Sequence, residues 1–193
     1  MATSRSPCVI DTSVLIDLDQ GAVLRSFFSL PFRFIVPDLL LAELKRPDPS
    51  SLTTLGLEVV HLTGEEVRRI SEIRAEIPRL SAPDTAAFVT AEAHGSLLLT
   101  GDARLRDYAE EHGVAVHGTL WALDRLYDEG KITGSLAAFA LRRMRENGSR
   151  LPEGECSVRL KRWDSDDKRR KPHQPEGVRE SDAVYSGLAR RPA

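Results

Sequence analysis

Short apolar runs alternate along this chain with longer stretches whose apolar positions recur at helical spacing. The segment CVID at 8–11 is three apolar residues closed by an acid, which reads as a short buried strand. TSVLIDL and then GAVLRSFFSL follow with helical periodicity, and FRFIV at 32–36 is a second strand. Pro37 then opens the helix DLLLAELK at a position where its missing N–H has no partner to lose. The segment 46–56, RPDPSSLTTLG, is dense in Pro, Ser and Thr and is expected to be loop. A third strand is expected over 57–61. The acidic first turn after Thr63 starts a helix running to about Ile77, before Pro78. Ser81 begins another helix, ending at His94-Gly95, and 97–100 is a fourth strand. A helix follows Gly101-Asp102 and closes at Gly113. A fifth short strand lies at 114–116, before two helices over about 119–129 and 134–146.

Strands that alternate with helices at this spacing predict an α/β fold. It is a three-layer α/β/α arrangement around a mostly parallel sheet of about five strands. The domain is expected to span 7–150. From Leu151 the pattern gives way to a polar, charged, proline-punctuated stretch, so 151–193 is expected to be a disordered tail. Trp163 and Tyr185 are its candidate docking aromatics, and the basic run 168–171 is a candidate to fold back on the site.

Composition adds limits rather than direction. Net charge is −2, so no overall basic field points to nucleic acid. The chain up to residue 150 has 17 Lys/Arg against 21 Asp/Glu, and the remainder has 10 against 8. That small acidic surplus in the folded part carries no weight alone. No apolar run approaches membrane-spanning length, and the first residues lack the long apolar stretch of a secretory signal. Two distant cysteines, Cys8 and Cys156, make no disulfide framework, so a cytoplasmic location is expected.

Four acids stand out: Asp11, Glu43, Asp84 and Asp102. Three have an ordinary explanation as helix caps. Asp11 and Asp102 each lie between a strand and a helix, and Ser81-x-x-Asp84 has capping-box spacing. Glu43 interrupts an apolar run in mid-helix, where its alternative is simply a solvent-facing position. In a parallel α/β sheet, however, ligands gather at the carboxyl ends of the strands. Asp11 and Asp102 follow two predicted strands, and Glu43 and Asp84 can reach the same edge. Four carboxylates together require protonation or a divalent cation, and an oxygen-only set suits Mg²⁺ or Mn²⁺. Ser13 and Thr100, each two residues from an acid, are candidates to orient a carboxylate or a water. Lys45, Arg46, Arg104 and Arg106 flank the acids and are candidate phosphate contacts. A phosphatase working through an aspartyl phosphate on Asp11 would want a second acid where Ser13 stands.

The strings VIDTSVLIDL at 9–18, LAEL at 41–44, PDTAAF at 83–88 and LLTGDARL at 98–105 together resemble a PIN-domain protein. Each is weak alone. Their order, with 18 residues from Asp84 to Asp102, makes the resemblance specific. The later segments GVAVHGTL, DEGKITG and LRRMRENGSRLP resemble a prokaryotic PIN subfamily with a C-terminal helical pair, close to the VapC-type toxins of toxin–antitoxin pairs. The resemblance implies a metal-dependent ribonuclease whose four acids, at Asp11, Glu43, Asp84 and Asp102, hold one or two Mg²⁺ or Mn²⁺ ions. It also implies RNA as substrate, a homodimer, and a possible antitoxin partner. The alternative is a catalytically inactive PIN fold serving as a nucleic-acid-binding or assembly module.

Overall fold

The computed structural model describes residues 5–169. Five strands, β1 (Ser6–Ile10), β2 (Phe32–Pro37), β3 (Glu58–Val60), β4 (Leu97–Leu99) and β5 (Val116–His117), form one sheet in the order β3-β2-β1-β4-β5. Every pairing is parallel, as β1 with β2 from Ser6↔Phe32 and β1 with β4 from Cys8↔Leu97. Helices cover both sides of the sheet. The central strands therefore have no wet face, which is why they read as unbroken apolar runs: Cys8, Val9, Ile10, Leu98 and Leu99 are all fully buried.

This strand order fixes where a site can form. The chain lays down β1, β2 and β3 in one direction, then returns to the other side of β1 for β4 and β5. The connections leaving β1 and β4 therefore diverge, and a crevice opens between their carboxyl ends. Helix α1 (Thr12–Gln20) leaves β1 there, followed by the short α2 (Leu24–Phe27). Helix α3 (Asp38–Glu43) follows β2 and α4 (Pro49–Leu55) precedes β3. Helices α5 (Gly64–Glu76) and α6 (Ala82–Ala93) connect β3 to β4, and α6 packs across β1, β2 and β4. Helix α7 (Ala103–Glu111) joins β4 to β5. Then come α8 (Thr119–Asp128), α9 (Gly134–Glu146) and α10 (Glu153–Arg169), with α9 packed on α1, α8 and α10.

The expected elements are present with shifted ends. The second helical stretch contracts to the single turn of α2, Pro37 precedes α3 instead of opening it, and β5 sits two residues later than its apolar run suggests.

Two expectations are overturned. The Pro/Ser/Thr-rich segment is not simply loop but contains α4. Asp48 caps it by accepting from the Ser51 amide at 3.0 Å, Pro49 occupies its first turn, and Gly56 ends it at φ 108°. Capping residues at both ends outweigh the poor helix propensity between them. Because Gly56 sits in a region that L side chains avoid, Gly56→Ala is expected to lower unfolding free energy by about 1 kcal/mol, read by urea denaturation.

The second concerns the predicted tail. Residues 153–169 form α10, whose Cys156 and Trp163 are fully buried. Cys156, Leu160 and Trp163 recur at i, i+4 and i+7, a narrow apolar stripe that the surrounding charge conceals. The rest of the predicted tail, with Tyr185 and residues 170–171 of the basic run, lies outside the described residues.

Candidate active site

Asp11 follows β1 directly, and its backbone N–H donates to Leu99 O at 2.8 Å, extending the β1–β4 ladder by one residue. It occupies the N-cap position of α1 yet makes no capping hydrogen bond with its side chain. The carboxylate is instead turned inward, and the residue is 5% exposed. Its Oδ2 accepts Ser13 Oγ at 2.6 Å and Thr100 Oγ1 at 2.8 Å. Its Oδ1 receives only a long contact from Thr12 Oγ1, at 3.4 Å. Burial pushes the Asp11 carboxyl above the ordinary carboxylate range. The Ser13 and Thr100 hydroxyls oppose that shift, the Asp84 charge adds to it, and the nearby Ser13 amide relieves it slightly without forming a cap.

The other two acids at helix starts, Asp84 and Asp102, do make capping hydrogen bonds. Asp84 and Ser81 form a complete capping box: Ser81 N and Ser81 Oγ donate to Asp84 Oδ2 at 3.1 and 2.6 Å, and Asp84 N donates to Ser81 Oγ at 3.1 Å. Asp102 Oδ1 accepts from Leu105 N at 2.9 Å and caps α7. In both residues the hydrogen bonds fall on one carboxylate oxygen. The remaining oxygen accepts none among the described residues. Capping and ligation are therefore compatible in the same side chain.

One relay ties β4 to α1. Thr100 Oγ1 donates to Asp11 and accepts from Asp102 N at 3.0 Å, while Ser13 Oγ accepts from Gly101 N at 3.1 Å. Asp11 and Asp102 are thus joined through Thr100, and Asp84 through the field it exerts on Asp11. Glu43 stands apart. Helix α3 ends at this residue, so it is not in mid-helix; it is exposed and hydrogen-bonds to none of the other three. Helix α3, which ends at Glu43, packs against α6, the helix that carries Asp84.

Among the described residues, no group of three or more His, Cys, Asp or Glu side chains is gathered closely enough to hold a metal ion. The expected convergence of four acids is accordingly loose. The donor set still suits a hard cation. It is all oxygen, and its central member is a buried carboxylate with one weakly engaged oxygen and no cationic partner among the ion pairs of the described residues.

The four candidate phosphate contacts separate. Arg104 is exposed on α7. Lys45 and Arg46 are exposed beyond α3, where they line a shallow groove with Arg25. Arg106 alone is directed at the site: its Nη2 donates to Thr100 O at 3.1 Å.

A search of curated proteins returns no match. A family model described as a PIN domain matches residues 7–165, which takes in β1 through most of α10. PIN domains are generally nucleases that act on nucleic acids and typically use divalent metals. No helix among the described residues is long and apolar enough to cross a membrane. With a match over most of its length, a five-stranded parallel sheet and an acid at the strand-order reversal, the chain belongs to the PIN-domain family.

Proposed function

We propose that the protein is a Mg²⁺- or Mn²⁺-dependent endoribonuclease hydrolysing RNA phosphodiester bonds. The observation that carries this reading is Asp11, a buried carboxylate at the mouth of the crevice that caps nothing. Such a group destabilises the fold unless something cationic compensates it, and destabilised charge is where function is sought. Asp11 and Asp102 would hold the cation directly. Asp84 and Glu43 would bind it through water or position the attacking water. When bound, a divalent cation offsets the charge of the scissile phosphate and makes the attacking water easier to deprotonate. The chain's own residues keep the geometry: Ser13 and Thr100 fix one Asp11 oxygen and leave the other with only the long Thr12 contact among the described residues. Thr100 also carries Arg106 on its carbonyl, within reach of a phosphate bound at the acids.

The experiment is cleavage of single-stranded RNA with and without metal, beside calorimetric titration of Mn²⁺. Cleavage is expected to need Mn²⁺ or Mg²⁺, to stop in EDTA, and to fall roughly a hundredfold or more in Asp102→Asn. A titration with no Mn²⁺ site, together with activity that survives EDTA, would sink the reading. Mn²⁺ silence with no activity favours the alternative, an inactive binding or assembly module. The resemblance to VapC-type toxins extends the reading to a homodimer and an antitoxin partner, which light scattering and co-expression with the adjacent reading frame would test.

A further inference from the structure

A cleft of about 730 Å³ opens beside the acids, and most of its lining lies outside the acid site itself. Ser13, Thr100 and Gly101, which surround Asp11, form one end of it. One wall carries His117 and Trp121, whose rings stack at 4.6 Å with 14° between their planes. Ile16, an exposed aliphatic side chain of α1, also faces the cleft. The residues joining α9 to α10 make the opposite wall. Asp17 holds them there by accepting from Ser149 Oγ, and it also accepts Thr119 Oγ1 at 2.7 Å.

The charges in the cleft are unevenly satisfied. Asp17 is committed to those two hydroxyls, and Glu155 to Arg159. Arg106 is half-buried and Arg150 exposed, and neither pairs with a carboxylate among the described residues. Gly118 lies close against Arg106, where a Cβ would stand 2.9 Å from its Nη2. Burial, and then the Arg106 charge, holds His117 below its usual range, so its ring is neutral at neutral pH. The result is an aromatic and aliphatic surface beside two uncompensated guanidinium groups. That is what an unpaired base and its phosphate require.

We propose that this cleft binds the single-stranded RNA segment next to the scissile bond, with an unpaired base against the His117–Trp121 wall and its phosphate at Arg106. It rests on the ribonuclease reading for the identity of the polymer. Binding and cleavage are measured separately, so the two can fail independently.

The test titrates a short single-stranded oligoribonucleotide into full-length protein in EDTA, following anisotropy and tryptophan emission. The chain has two tryptophans, and Trp163 is fully buried outside the cleft, so quenching reports Trp121. Binding is expected to quench emission and to exceed binding of the same sequence as duplex. Arg106→Gln should weaken it about tenfold and reduce its log–log salt slope by about 0.7. Arg74→Gln, on the exposed face of α5, should change neither. Trp121→Leu should abolish the quench; should it fail to fold, the wild-type quench and Arg106→Gln still decide. Binding without quenching, equal affinity for duplex, or equal effects of Arg106→Gln and Arg74→Gln would each overturn the subsite. If Mn²⁺-dependent cleavage persists alongside any of these, the ribonuclease reading stands without it. Binding as expected with no cleavage in Mn²⁺ leaves the subsite and removes the reading.

Discussion

Asp11→Asn is expected to reduce metal-dependent RNA cleavage roughly a thousandfold while making the metal-free protein more stable. Both effects come from one cause. Asp11 is buried, faces the Asp84 charge, and is compensated chiefly by the Ser13 and Thr100 hydroxyls, with no cation paired to it among the described residues. Asparagine keeps an oxygen for those donors and removes the charge. Relieving such a site commonly adds about 1 kcal/mol, or roughly 3 °C in a chain of this length. The sign of the pH dependence follows. Because the folded state raises the Asp11 pKa, the folded chain binds more protons than the unfolded chain between the ordinary and the raised value. Stability is therefore fully present below the ordinary carboxylate pKa and is lost as pH rises through the raised one. In EDTA, melting temperature plotted against pH should fall across that window for wild type and less steeply for Asp11→Asn. Saturating Mn²⁺ should restore wild type and leave the variant unchanged. If the Asp11→Asn variant melts below wild type at neutral pH, the carboxylate is structurally satisfied, and the case for a cation goes with it.

What can be read from the sequence follows from how local each signal is. The alternation of strands and helices is written in periodicity, so the parallel sheet and the placement of Asp11 and Asp102 after strands are legible without coordinates. Which acids cap and which do not is not legible. Asp11, Asp84 and Asp102 all lie in the first turn or cap of a helix, and what sets Asp11 apart is a carboxylate held by Ser13 and by the tertiary partner Thr100, 89 residues away. Glu43 misleads in the opposite direction. By sequence it is the acid hardest to explain structurally, but α3 ends there and the residue is exposed. Arg106 is one of four flanking cations; its distinction is a carbonyl partner and a glycine opposite, both supplied by neighbouring strands and loops. Helices α4 and α10 escape the sequence because composition hides them. In α4 the caps are visible in Asp48, Pro49 and Gly56, but a Pro/Ser/Thr-rich stretch masks them.

Helix α10 has the larger consequence. Trp163→Ala is expected to lower unfolding free energy by about 3–5 kcal/mol, a drop of roughly 10 °C in melting temperature. The indole is fully buried and packs near Tyr127 of α8, with ring centroids 6.3 Å apart. Its Nε1 is also buried without a hydrogen-bond partner among the described residues, so Trp163→Phe loses packing but relieves a desolvated donor. That variant should cost less than about 1.5 kcal/mol. A truncation after residue 152 goes further than either. It removes Trp163 and also Arg159, whose Nε donates to Asp124 Oδ2 at 2.7 Å, leaving that half-buried carboxylate unpaired. Were 153–193 a solvated tail, both the alanine variant and the truncation would melt with wild type, and either result would refute the packing argument. The same helix bears on function, because Glu155 and Arg159 line the cleft and α10 follows directly from the 147–152 wall. Losing its anchor should therefore loosen that wall before it unfolds the sheet. In Trp163→Ala below its melting temperature, KM for RNA is expected to rise about tenfold with kcat nearly unchanged, since Asp11 and Asp102 follow β1 and β4 while Glu43 and Asp84 lie on α3 and α6, none of them on α10.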